Sequence, residues 1–376
     1  MVAVNKKPSR AQLTSDDALA PGRRAQPIKW WAGLGAASLA FEIYLVIRWI
    51  TSGNFRPTPG GPDEVPLYME IAVRIHEALG PISVIALLYL FIIKPWKRER
   101  RIPLAGVCCC AGMTVWWQDL ANNWAAPSVV YNNAFVNFGS WYNFIPGWIS
   151  PRAQFMPEPL LWEILFYPLY FSIPPLTIAW VMRKVKARRP HIGTPGLLIS
   201  AFLIAFTIDV LLEHAWMLLG LWSWAGTIPA LTLWSGHYYQ FPIYEAVFFG
   251  ASWAACGSLV YFVDDKGRTV VERGLDSIRA TDKQKIGLRI LAVAGFFNMV
   301  VFFYNVAFGS MALQPQWRWA QDVVDRSYFR NNLCGEGTPY ACPGWDLPLP
   351  RGNHGSHVDP DGKLVVPPGA EERRYR

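Results

Sequence analysis

Seven mostly apolar stretches alternate with polar connections along the 376 residues. A helix needs about 20 predominantly apolar residues to cross the hydrocarbon core of a bilayer. The pattern therefore predicts an all-α, polytopic membrane helix bundle of about seven transmembrane helices, over residues 30–50, 67–93, 102–120, 158–182, 197–222, 241–263 and 287–311. Pro168, Pro174 and Pro175 predict a kink in the fourth stretch, because proline has no N–H for the helical ladder.

The distribution of Lys and Arg predicts the orientation of the bundle. The first 29 residues and the connections 94–101, 183–196 and 264–289 hold 23 of these side chains, whereas 51–66, 121–157 and 223–240 hold 2. Because cytoplasmic connections are enriched in Lys and Arg, we expect the N-terminus inside and the C-terminus outside.

Three regions follow from this orientation. We expect a disordered basic cytoplasmic leader over 1–29, a transmembrane domain over 30–311, and a Pro- and Gly-rich extracytoplasmic tail over 312–376. Cys334 and Cys342 lie in the tail, on the oxidising side, where a disulfide between them is plausible and two free thiols are the alternative.

Composition supports a membrane location. The chain is 52% hydrophobic and only 16% charged, against about 25% charged in soluble domains. Its 19 tryptophans suit the headgroup region of a bilayer. The net charge of +8 is spread in short blocks between apolar stretches, so we expect no nucleic-acid partner. We expect a multi-pass protein of the cell membrane whose partners are membrane lipid and a lipophilic small-molecule substrate; its oligomeric state is unknown.

Ionisable side chains inside the predicted spans indicate a functional site, because they are costly in a membrane. In the predicted orientation they lie mainly in the outer halves of the helices. Asp209, Glu213 and Trp216 are spaced i, i+4 and i+7, so they share one helix stripe. Neighbouring carboxyl groups can serve as acid and base in proton transfer, and the alternative is a network that only fixes helix packing. The catalytic candidates are Asp119, Glu163, Asp209, Glu213, His214 and Glu245.

The connection 121–157 is unusually long, aromatic and rich in asparagine, with Arg152 as its only charged residue. We expect it to be either a lid over an apolar substrate or an interfacial anchor. The candidates for substrate binding are Trp117, Gln118, Asn122, Asn123, Asn137, Trp141, Trp216, Asn298 and Asn305. The cysteines show no metal-binding spacing such as C-x-x-C, and there is no phosphate-binding loop, so the sequence predicts neither a metal nor a cofactor.

Four short motifs carry a family resemblance: W-W-Q-D (116–119), N-F-G-S-W (137–141), I-P-G-W (145–148) and P-E-P-L-L-W (157–162). Together they resemble the AveC-type spirocyclase family, named for the membrane protein that forms the spiroketal in avermectin biosynthesis. The resemblance is densest over 116–162 and excludes the leader and the tail. It implies a membrane-embedded cyclase, with dehydratase activity as a further option, acting on a dihydroxy-ketone or on another lipid, sterol or isoprenoid. It transfers no catalytic positions.

Three functions therefore stay open. The first is a spirocyclase- or dehydratase-like enzyme, a lyase or isomerase, that uses carboxylate acid–base catalysis on a lipophilic hydroxy-ketone. The second is a lipid- or isoprenoid-binding protein or a transporter that performs no chemistry, although no inverted repeat is visible. The third is a haem- or quinone-linked redox protein with His76 and His214 as ligands.

Overall fold

The computed structural model describes residues 26–344, 347 and 356–366. The predicted leader lies almost entirely outside these residues. The described chain is mostly helical, and six of its helices are long and apolar enough to cross a membrane: Pro27–Thr51, Leu67–Glu99, Glu163–Arg188, Thr194–Leu218, Ile243–Tyr261 and Asp282–Leu313. The predicted class, a polytopic membrane helix bundle, is confirmed, and about seven helices is close to the six found.

The described α-helices and short strands have the following bounds. The α-helices are α1 (Pro27–Thr51), α2 (Leu67–Leu87), α3 (Lys94–Glu99), α4 (Leu104–Gly112), α5 (Glu163–Tyr170), α6 (Ile173–Arg188), α7 (Thr194–Leu218), α8 (Ile243–Tyr261), α9 (Asp282–Ser310), α10 (Gln321–Val324) and α11 (Ser327–Arg330). A π-helical turn, Leu88–Ile93, joins α2 to α3. Two-residue strands pair antiparallel as β1 (Val130–Tyr131) with β2 (Trp222–Ser223), β3 (Gly226–Thr227) with β6 (Arg318–Trp319), β4 (Thr232–Leu233) with β5 (Phe241–Pro242), and β7 (His357–Val358) with β8 (Leu364–Val365).

The third predicted span, 102–120, is not one helix, and this part of the prediction is wrong. Helix α4 ends at Gly112, and a 3-10 segment, Trp116–Trp124, follows it. The segment leaves the α-helical path because its polar groups bond to α9. The Gln118 side-chain nitrogen donates to the Asn298 Oδ1 atom at 2.9 Å, and the Asn305 side-chain nitrogen donates to the Gln118 carbonyl oxygen at 2.9 Å.

The predicted kink in the fourth stretch is confirmed. Helix α5 ends at Tyr170, and α6 begins at Ile173 with Pro174 and Pro175 in its first turn, where their missing N–H groups cost nothing. The Ser172 hydroxyl donates to the Pro168 carbonyl oxygen at 2.6 Å. The break separates a short helix, α5, from the longer α6.

Close packing of α1 against α9 depends on two glycines. A Cβ atom at Gly35 would lie 1.9 Å from the Leu291 carbonyl oxygen, and one at Gly295 would lie 2.2 Å from the Trp31 carbonyl oxygen. Small residues let helix backbones approach closely in membrane proteins, where packing drives association. The contact holds the N-terminal helix on the face of α9 beside the 3-10 segment.

The long connection 121–157 folds against the bundle and is largely buried. The Asn132 side chain donates to the Gly220 carbonyl oxygen at 2.9 Å, and the Asn331 side chain donates to the Tyr131 carbonyl oxygen at 2.8 Å. The connection is therefore tied both to the turn after α7 and to the chain after α9. The predicted disulfide between Cys334 and Cys342 is present.

Candidate active site

A cavity of about 70 Å³ lies where α5, α7, α8, α9 and the 3-10 segment meet. Its polar lining consists mainly of carboxylates and tyrosine hydroxyls, and tryptophan rings complete the wall. Among the residues that the structure describes, no Lys or Arg lines this cavity. The lining includes Asp119, Glu163, Glu213, Tyr131, Tyr167, Tyr170, Tyr304, Trp216, Trp222, Trp224 and Trp253.

Asp119 is the centre of a group of three carboxyl groups, which we call the Asp119 cluster: Asp119, Glu158 and Glu163. The Glu158 and Glu163 carboxyl groups lie within hydrogen-bonding reach of Asp119. Tyr131 and Tyr167 donate their hydroxyl hydrogens to the two oxygens of Asp119 at 2.8 and 2.9 Å. Carboxyl groups this close can pass a proton from one to another.

Glu158 is fully buried and lies at the start of the chain that leads into α5. Burial, reinforced by the neighbouring Asp119 carboxylate, raises the pKa of Glu158 well above its usual value. The Tyr142 hydroxyl accepts a hydrogen bond from the Leu120 backbone N–H at 2.7 Å and donates one to Glu158 at 3.0 Å. Glu158 is therefore a carboxyl group that keeps its proton at a pH where an exposed glutamate has lost it.

Neither Glu158 nor the tyrosines are among the site residues that the sequence predicts. The signal for two of the tyrosines was present in the sequence: Glu163, Tyr167 and Tyr170 are spaced i, i+4 and i+7 on α5 and share one face. All three line the cavity. Tyr131 could not be found in this way, because its position depends on how the connection 121–157 folds back.

A second group, the Asp209 cluster, contains Asp209, Glu213 and Glu245. Each offers a carboxylate oxygen, and these oxygens lie within 4.8 Å of one another. Helix α7 supplies the first two from one stripe, as the spacing predicted, and the first turn of α8 supplies Glu245. Of the three, only Glu213 lines the cavity, so the two clusters approach the same space from different walls.

Three of the predicted substrate-binding residues reach the cavity: Gln118, Asn122 and Trp216. Three others, Trp117, Asn298 and Asn305, hold the 3-10 segment in place. The Trp117 indole nitrogen donates to Asn298 at 3.1 Å, and the Asn305 bond to Gln118 fixes the next residue. These three side chains position the cavity wall.

The remaining predicted binding residues are bonded within the connection 121–157 and its neighbours. Asn123 accepts hydrogen bonds from the Ser128 and Val129 backbone N–H groups at 2.7 and 2.9 Å. Asn137 accepts one from the Thr58 backbone N–H at 3.0 Å, and the Trp141 indole donates to the Trp117 carbonyl oxygen at 2.9 Å. Their contacts stabilise the connection, and none of the three lines the cavity.

The two histidines inside helices have separate neighbours. His214, a catalytic candidate, stacks on Trp234 with ring centroids 4.1 Å apart and does not line the cavity. The His76 Nδ1 atom lies 2.8 Å from the Ala72 carbonyl oxygen, and its ring packs edge-on against Trp162. Each ring is thus placed by contacts of its own.

An apolar groove of about 430 Å³ adjoins the cavity. Rings and aliphatic side chains from α1, α9 and the connection 121–157 form its walls, among them Phe41, Trp124, Ile145, Trp148, Phe302 and Val306. Gln118 lines both the groove and the cavity. An apolar molecule in the groove would therefore have one end beside the polar cavity.

Comparison with known proteins identifies the chain's relatives at the level of the family. No protein of curated function and no solved structure matches the chain significantly. A family model described as "Spirocyclase AveC-like" matches residues 99–329, well over half of the chain and including all six residues of the two clusters. The chain therefore belongs to the AveC-like spirocyclase family.

Proposed function

We propose that this protein is a multi-pass cyclase of the cell membrane that closes a ketal ring on a lipophilic hydroxy-ketone by carboxylate acid–base catalysis. The observation that carries the proposal is the Asp119 cluster, in which Asp119 and Glu163 line the cavity with two tyrosine hydroxyls, and the buried Glu158 lies beside Asp119. Membership of a spirocyclase family supports cyclisation as the reaction type.

The chemistry needs one group that accepts a proton and one that donates it. In the first step a substrate hydroxyl oxygen adds to the ketone carbon, its proton passes to an ionised carboxylate, and the former carbonyl oxygen takes a proton from a neighbouring carboxyl group. The product is a hemiketal. Buried carboxyl groups with different environments can divide these two tasks, and the fully buried Glu158 is placed to keep the cluster supplied with a proton.

In the second step a carboxyl group protonates the hemiketal hydroxyl, the carbon–oxygen bond breaks, and water leaves. The second substrate hydroxyl adds to the resulting oxocarbenium carbon, and its proton returns to a carboxylate. The net change is the loss of one water. The ionised carboxylates and the tryptophan faces of the cavity, such as Trp216 and Trp253, stabilise the positive charge of the intermediate.

The apolar groove supports a lipophilic substrate. Its walls are almost entirely apolar, and Gln118 connects it to the cavity. We assign the aliphatic part of the substrate to the groove and the hydroxyl and ketone groups to the cavity. A substrate bound in this way would reach the cavity from the groove. It would therefore need no path lined by polar side chains through the inner halves of the helices.

Single substitutions test the proposal. We expect Asp119→Asn and Glu163→Gln to lower product formation by roughly 10²- to 10⁴-fold, the usual contribution of general acid–base catalysis. Lipid extracts of cells that produce each variant are compared by mass spectrometry with extracts from wild-type cells. A species one water heavier than the missing product should accumulate.

Glu70→Gln is the matched control, because Glu70 is an exposed carboxylate in the first turn of α2. It should leave product formation unchanged. Full product formation by both Asp119→Asn and Glu163→Gln would contradict the proposal and favour a lipid-binding protein or transporter that performs no chemistry.

A further inference from the structure

The Asp209 cluster has an arrangement that the proposed reaction does not explain. Three carboxylates converge with oxygens within 4.8 Å of one another, and both Asp209 and Glu245 are fully buried. Within the described ranges, no salt bridge to Lys, Arg or His reaches any of the three. Buried carboxylates are normally paired with a cation or bound to a metal, because an uncompensated buried charge is very costly.

Unsatisfied oxygens are a second and separate observation. Neither oxygen of Asp209 has a hydrogen-bond donor among the described residues, and the Oε2 atom of Glu245 also has none. Buried polar atoms in native proteins are almost always bonded. Asp209 is thus a fully buried carboxyl group that meets no amide, indole or hydroxyl donor among the described residues and lies against the carboxyl groups of Glu213 and Glu245.

On Glu213 and on Glu245, a neighbouring side chain bonds to only one of the two carboxylate oxygens. The Trp224 indole nitrogen donates to the Oε2 atom of Glu213 at 3.2 Å, and the Tyr304 hydroxyl donates to the Oε1 atom of Glu245 at 3.2 Å. Each bond fixes one oxygen of a carboxylate and orients the other. Bonds of this kind, made by groups behind the ligands, commonly orient metal-binding side chains.

Helix packing brings the three residues together. Gly250 on α8 faces α7, where a Cβ atom would lie 3.1 Å from the Phe206 backbone. This close approach lets the first turn of α8 reach the Asp209 and Glu213 stripe of α7. The cluster is built from two tightly packed helices, and rigid elements of this kind hold ligands more precisely than loops do.

We propose that Asp209, Glu213 and Glu245 bind one divalent cation of the oxygen-preferring class, namely Mg²⁺, Mn²⁺ or Ca²⁺. A ligand set made only of carboxylates suits these hard cations and lacks the imidazole and thiolate ligands that select zinc or copper. Because Glu213 also lines the cavity, a cation held by the cluster would lie beside the space where substrate oxygens are proposed to lie. This proposal departs from the sequence-based prediction of no metal.

Metal binding by the full-length protein tests this proposal without any assay of activity. Wild-type protein in detergent is stripped with chelator and titrated with MnCl₂, and free Mn²⁺ is followed by electron paramagnetic resonance. We expect one saturable site per chain, competition by Mg²⁺ or Ca²⁺, and a rise in the thermal unfolding midpoint when metal binds. Asp209→Asn and Glu245→Gln should each weaken binding at least tenfold.

Glu158→Gln is the matched control, because it removes a fully buried carboxyl group of the Asp119 cluster and should leave Mn²⁺ affinity unchanged. The absence of saturable binding and of thermal stabilisation by Mn²⁺, Mg²⁺ and Ca²⁺ in wild-type protein would overturn the proposal. Equal affinity in wild type and in a folded Asp209→Asn protein would do the same. Either result would leave the proposed cyclase reaction standing, because that reaction is assigned to the other cluster.

Discussion

Asp119 lies in a 3-10 segment and accepts hydrogen bonds from Tyr131, in the connection 121–157, and Tyr167, on α5. From the sequence it could be recognised as a carboxylate at the end of an apolar stretch. The partners that determine its chemistry, Glu158 and the two tyrosines, come from distant parts of the chain. Spacing rules describe neighbours on one helix, so they found Asp209 with Glu213 and could not find Asp119 with Glu158.

A prediction about Glu158 can be tested without a substrate. Its pKa in the folded protein is raised by burial and by Asp119, so its contribution to stability is fully present below the pKa of an unfolded glutamate and is lost as the pH rises through the folded value. Glu158→Gln resembles the protonated form and cannot ionise. We expect its thermal unfolding midpoint in detergent to be close to that of wild type near pH 4 and a few degrees higher near pH 9.

Glu70→Gln again provides the control, because Glu70 is exposed. Its thermal unfolding midpoint should equal that of wild type at both pH values. A Glu158→Gln curve parallel to wild type across the whole range would show that Glu158 has an ordinary pKa and would remove it as the proton reservoir of the cluster.

The helices differ in how closely their positions match those predicted from the sequence. Long apolar stretches became helices close to their predicted positions, and Pro174 and Pro175 marked the break before α6. The stretch 102–120 is equally apolar at its start, yet α4 ends at Gly112. Its end depends on Asn298 and Asn305 of α9, which bond to the 3-10 segment. Hydrophobicity cannot reveal bonds of this kind between distant residues.

A second prediction concerns the close contact between helices α1 and α9. Gly35→Ala places a Cβ atom in the space now held by the Leu291 carbonyl oxygen, so the helices must separate. We expect a loss of about 1–3 kcal/mol in the free energy of unfolding, as for other overpacked sites, measured by denaturation in detergent. Gly33→Ala is the control, because nothing lies within 4 Å of its added Cβ atom. Equal stability of the two variants would show that the helices do not need this approach.

In the whole molecule, the helices and the connection 121–157 form one site, and this site opens to the apolar groove. Helices α5 and α7–α9 form a cavity, the connection 121–157 places Tyr131 in its wall, and the chain after α9 holds that connection through Asn331. The sequence predicted a bundle with polar groups gathered in one region. Orientation in the membrane and the role of the connection as a lid stay predictions, since both depend on surroundings that the fold alone does not contain.

We propose above that the Asp119 cluster removes one water from a lipophilic hydroxy-ketone. Its most direct test adds membranes that contain the wild-type protein to a lipid extract from cells lacking it, and follows the extract by mass spectrometry. We predict that one species is converted to a product lighter by one water, without added oxidant or reductant, and that membranes containing Asp119→Asn do not convert it. Conversion at the wild-type rate by Asp119→Asn, or a product that differs by anything other than one water, would contradict the account.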